Sequence, residues 1–141
     1  MRRSHMQAVR DWLAARGHGL LLESDAESCF DPEQRVVKVD SSLPREEKLA
    51  VALHECGHLL IRLSRERRPK KRIVGATLRE CDEETGRCKK RTQSGDIATL
   101  HEEIEAWERG LHLGCRLSLR FSRRKFDKMR CKCLATYSRV W

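Results

Sequence analysis

Leu43-Pro44-Arg45-Glu46-Glu47-Lys48-Leu49-Ala50-Val51-Ala52-Leu53-His54-Glu55-Cys56-Gly57-His58-Leu59-Leu60-Ile61-Arg62-Leu63-Ser64-Arg65 decides how this chain is read. Ser41 and Ser42 can cap free amides, Pro44 suits a first helical turn, and Glu46 and Glu47 favour the positive end of the dipole. Leu49, Leu53, Cys56 and Leu60 recur four, three and four apart, so a helix is predicted to about Arg65 with that stripe buried. Inside it stands His54-Glu55-Cys56-Gly57-His58, the H-E-x-x-H arrangement. Residues four apart lie about 40° apart around a helix, so both imidazoles can bind one zinc ion from the same side. Glu55 adjoins the first ligand and is placed to act as general base on a metal-activated water.

Towards the N-terminus, Val9, Trp12 and Leu13 set a short helix that Gly17 and Gly19 end. Ser4-His5-Met6 reads as a cloning remnant, and the domain is taken as residues 6–141. Leu20–Glu23 and Arg35–Asp40 read as two strands, with Val37 and Val39 on one face. Residues 66–96 form a polar connector in which Ile73, Val74 and Leu78 suggest a strand or hairpin. A second long helix is expected from about Ile97, with a stripe of Leu100, Ile104, Trp107, Leu111 and Cys115, and with Gly110 and Gly114 allowing close packing. Ser122 caps a third helix carrying Phe126, Met129, Cys133 and Tyr137 within a basic segment, 116–141.

The 141 residues, 39% apolar and 5% aromatic, suit one modest core and argue against a multidomain enzyme. No apolar run approaches the ~18 residues of a membrane span and no signal-peptide core is seen, so a cytoplasmic protein is expected. Seven cysteines with no export signal point to free thiols or metal ligands rather than a disulfide scaffold. Cys81, Cys88, Cys131 and Cys133 are candidates for a second, structural zinc, and Cys56 reads as a small core residue. A formal charge of +9 favours anionic partners. Most of that excess sits in 116–141, where nine basic side chains face one acid, Asp127. A non-catalytic zinc-fold module that binds nucleic acid or a partner protein through this segment is the competing reading.

A catalytic zinc needs a third protein ligand. The continuation of the motif to Gly and His at 61 and 64 is missing, since Ile61 and Ser64 stand there, which excludes the metzincins. Candidates are the glutamates of the second long helix. With Ile104 as the inward direction, Glu102 falls at about 160° and points to solvent, Glu103 at about −100°, Glu105 at about +100° and Glu108 at about +40°. His101 is a candidate partner to a ligand, oxyanion donor or alternative ligand.

His54-Glu55-Cys56-Gly57-His58, the strand and Leu43-Pro44-Arg45-Glu46 before it, and Glu105-Ala106-Trp107 after it resemble the ImmA/IrrE-like minimal gluzincins over roughly residues 35–115. The resemblance implies a small α+β zincin-like domain, with a short sheet, the H-E-x-x-H helix and a second glutamate-bearing helix around one catalytic Zn2+. It implies Glu105 as third ligand, with Glu103 and then Glu108 as alternatives. Many such proteins carry Asn where Trp107 stands here. The implied activity is hydrolysis of peptide bonds in a regulatory protein, with the edge strand Arg35–Asp40 holding the substrate. Tyr137, the only tyrosine, is expected in the core rather than at the site.

Overall fold

The computed structural model describes residues 4–67 and 93–138. Their order is α1 (His5–Ala14), β1 (Gly19–Glu23), β2 (Cys29–Asp31), β3 (Val36–Asp40), α2 (Arg45–Arg67), α3 (Gln93–Arg116) and α4 (Arg123–Ser138). This is an α+β arrangement of four helices and a small mixed sheet among the described residues. Cys81, Cys88 and the strand expected near Ile73, Val74 and Leu78 lie outside them.

The first helix starts earlier than expected, because the Ser4 hydroxyl accepts from the Gln7 amide at 3.1 Å and caps it. Residues 4 and 5 therefore belong to the folded chain. Val9, Trp12 and Leu13 are buried, as their spacing predicts. Gly17 takes φ +76°, and the bonds His18 N to Leu13 O and Gly17 N to Ala14 O close a Schellman turn. The chain then enters β1.

Strand order is β1-β3-β2, with β3 parallel to β1 and antiparallel to β2. Val37 and Val39 are fully buried on one face of β3, as their alternation requires. The expectation that Arg35–Asp40 is an edge is corrected: β3 is central, flanked on both sides. Among the described residues the edge beside the site is β2, a three-residue strand too short for its pattern to show in the sequence.

Asp40 closes the turn into the site helix. Its Oδ1 accepts from the amides of Asp25 and Ser42 at 2.9 Å each and from the Ser42 hydroxyl at 2.6 Å. α2 then runs between the sheet and the pair α3 and α4, so residues 49–57 are buried on every side rather than along one stripe. Its closest neighbour is α3. A Cβ on Gly57 would collide with the Ala106 carbonyl, and one on Gly110 with the Leu53 carbonyl. Glycine at both places lets the two backbones touch, and this contact sets the rotation of α3.

That rotation differs from the expected one. Ile104 is 41% exposed, while Ala106, Trp107 and Leu113 are buried. Ala106, Trp107, Gly110 and Gly114 centre the packing face at about −100° from Ile104, which is the direction of Glu103. Ser122 caps α4 as predicted, accepting from the Lys125 amide at 3.1 Å. Phe126 anchors the helix in the core.

Candidate metal centre

His54 and His58 project from adjacent turns of α2, and α3 aims Glu103 between them. Glu103 Oε1 lies 3.1 Å from His54 Nε2, and Oε2 lies 2.9 Å from His58 Nε2. The three side chains each offer one donor atom within 4.8 Å of the others, and they are the group among the described residues that could hold a metal ion. Two imidazoles and a carboxylate are a donor set suited to zinc.

The electrostatics agree with a cation site. Burial works against a charged His58, but hydrogen bonds to Glu102 and Glu103 and their negative charges outweigh it and raise its pKa to about 10. Burial opposes the charge on Glu103 too, yet the two histidines hold its carboxyl down to about 2. The group as built thus calls for positive charge at its centre, supplied by protons or by a metal ion.

For the third position, the structure brings Glu103, the first alternative, to the two histidines, and not Glu105. Glu105 lies on the other side of α3, where Arg109 Nε approaches its Oε2 at 2.7 Å. Glu108 and His101 line that same outer groove, so neither reaches His54 or His58. Ile104 is a misleading reference; the small residues at 106, 110 and 114 carried the signal for the true inner face. Glu102, expected in solvent, reaches back instead. Its Oε2 is 3.3 Å from His58 Nδ1, and its Oε1 receives Arg65 Nη2 at 2.6 Å. This anchored carboxylate orients the His58 ring, and His58 in turn lowers the Glu102 pKa to about 2.

Glu55 is 8% exposed and sits beside the group on the sheet side, lining the cleft with Cys29 and Phe30. Burial raises its pKa, partly opposed by the neighbouring histidines. The cleft in front of the group has a volume of about 790 Å³ and is lined by Cys29 and Phe30 of β2, by Ile61 and Arg62 of α2, and by Tyr137 of α4. Tyr137 therefore belongs to the site. Burial, with the negative charge of Glu103 beside it, pushes its hydroxyl up to about 12.

The cysteine expectations divide. Cys56 is fully buried in the core, as predicted. Cys131 is exposed and Cys133 half-buried on α4. Two positions along a helix differ by about 200°, so these thiols diverge, while Cys81 and Cys88, the other half of the expected structural zinc site, lie outside the described residues. Burial raises the Cys133 thiol. Compared with models of protein families, with curated proteins and with solved structures, the chain matches none. The functional reading therefore rests on the site's own geometry. No described helix is long and apolar enough to cross a membrane.

Proposed function

We propose that this protein is a zinc-dependent endopeptidase of the gluzincin type, with His54, His58 and Glu103 as metal ligands and Glu55 as general base. The observation that carries it is the convergence of Glu103 on both Nε2 atoms beside the buried Glu55. Zinc bound there supplies a water of near-neutral pKa and polarises the scissile carbonyl. Glu55 takes the proton of the attacking water, aided by a burial that raises its basicity, and delivers it to the leaving amine. The Tyr137 hydroxyl, kept protonated, donates to the developing oxyanion. Among the described residues β2 is the edge of the sheet on the cleft side, and an extended peptide can pair along it.

Membership of the ImmA/IrrE-like gluzincins, a regulatory protein as substrate and a cytoplasmic location are parts of the same proposal. The test is a matched pair, wild type and Glu55→Gln, each assayed for zinc content and for cleavage of a proteome-derived peptide library. One zinc in both and cleavage only by wild type supports the reading. Zinc-loaded wild type that cuts nothing beyond the Glu55→Gln background overturns it.

A second reading is favoured by α4, whose Arg124, Lys125, Lys128 and Lys132 are all exposed. In that reading the zinc fold is a scaffold and these cations bind phosphates. Salt-dependent DNA binding lost with the four cations, together with indifference to Glu55→Gln, would favour it.

A further inference from the structure

The two candidate histidine ligands are held in different ways. His58 has its second ring nitrogen on Glu102, which Arg65 anchors. His54 has no equivalent among the described residues, where its buried Nδ1 finds no hydrogen-bond partner. A metal-binding imidazole ordinarily donates its other N–H to a carboxylate, carbonyl or water, which fixes the ring. The ring of His54 instead lies flat on Trp107, with centroids 4.2 Å apart and planes 15° from parallel.

Trp107 is fully buried, and its Nε1 also finds no partner among the described residues. Its position is thus set by packing: Phe126 of α4 meets it edge-on at 5.4 Å and 80°, and Phe121 packs on Phe126 in turn. Leaving a buried N–H unpaired is costly, and what this indole offers in return is its face. A flat wall against the imidazole blocks rotation about the bond from Cβ to the ring, the motion that would swing Nε2 away from Glu103.

We propose that Trp107 is the positioning residue for His54, replacing by stacking the hydrogen bond that holds His58, and that Phe126 transmits the support of α4 to the metal centre. This rests on the metal-centre reading above but not on peptidase activity. Its consequence is a coupling between Trp107 and one ligand only.

A double-mutant cycle tests it with Zn2+ alone as probe. Trp107→Leu is expected to weaken zinc binding about tenfold or more, and Trp107→Phe, which keeps a flat ring, to recover most of that loss. In a His54→Ala background Trp107→Leu should cost nothing further, whereas in a His58→Ala background it should cost the full factor. A merely structural Trp107 would cost the same in both backgrounds, and that result overturns the proposal. A second measurement needs no change at Trp107: in the full chain, the His54 ring protons should resonate upfield of those of His58 through the indole ring current, before and after zinc loading. Loss of that shift on loading would overturn the proposal even if Trp107→Leu fails to fold. Failure of the wild-type chain to bind zinc would overturn the metal centre and this inference together, while bound zinc with no selective coupling overturns this inference alone.

Discussion

Glu103 and Glu105 stand two residues apart on α3 and face nearly opposite ways, the first between His54 and His58 and the second against Arg109 on the outer groove. Replacing Glu103 with Ala should therefore lower zinc affinity by orders of magnitude, leaving it measurable only at high zinc, whereas Glu105→Ala should leave it intact and cost only an exposed ion pair, about 0.5 kcal/mol at most. Elemental analysis of the two variants decides it. Zinc lost with Glu105 and kept without Glu103 would refute the assignment.

Glu102 predicts a graded effect. Glu102→Gln retains shape but removes the charge that orients His58, so zinc affinity should fall about tenfold to a hundredfold without loss of fold. Competition with a chelator of known affinity measures it, and Arg65→Ala should give a smaller change in the same direction.

Tyr137→Phe tests the oxyanion donor. With zinc content unchanged, turnover should drop about a hundredfold or more while KM moves little, as for loss of a donor used only in the transition state. An unchanged turnover would remove Tyr137 from the mechanism.

The pH dependence of the metal-free protein follows from the same contacts. Glu102 and Glu103, held near 2 against an ordinary 4.5, contribute stability that is present above about 4.5 and lost as pH falls toward 2. His58, raised from 6.5 to about 10, contributes stability that is full below 6.5 and lost as pH rises through 10. The melting temperature after chelation should peak between about 4.5 and 6.5 and decline on either side. Zinc must displace the His58 proton, so its apparent affinity should rise with pH across the range where that proton is still bound. A melting temperature that climbs between pH 7 and 9 in the apo protein would contradict this ion-pair picture.

Gly57→Ala probes the helix crossing. The added methyl would collide with the Ala106 carbonyl, which is backbone and cannot turn aside. A loss of about 3 kcal/mol or more is expected, with zinc binding lost alongside, because separating α2 from α3 withdraws Glu103. A thermal melt and a zinc assay on one sample check both.

Where the chain's own pattern was strong, its reading and the structure coincide. Val9, Trp12 and Leu13, the pair Val37 and Val39, the cap at Ser122 and the span of α2 all follow from local rules. Three features did not. β2 is three residues long and takes its place only through pairing with β3, a non-local event. The rotation of α3 depends on where two backbones can touch, so small residues outweighed the larger Ile104 that a hydrophobic stripe favours. Ser118 ends α3 at φ +56°, a left-handed position where glycine would have announced the stop. At the site, His54, Glu55 and His58 were legible from spacing alone. Glu103 was named only as an alternative to Glu105, and choosing it, like finding Glu102 and Tyr137, needed the tertiary arrangement that brings α3 and α4 to α2.

The burial of α2 on every side joins two properties that many metal proteins keep apart. The segment that would bind the ion is also the segment the sheet and both later helices fold around, so the unfolded chain has neither. Occupancy and conformational stability then become readings of one equilibrium. A hundredfold excess of metal over its dissociation constant would raise stability by about 2.7 kcal/mol, and a melting curve on this protein doubles as a binding isotherm.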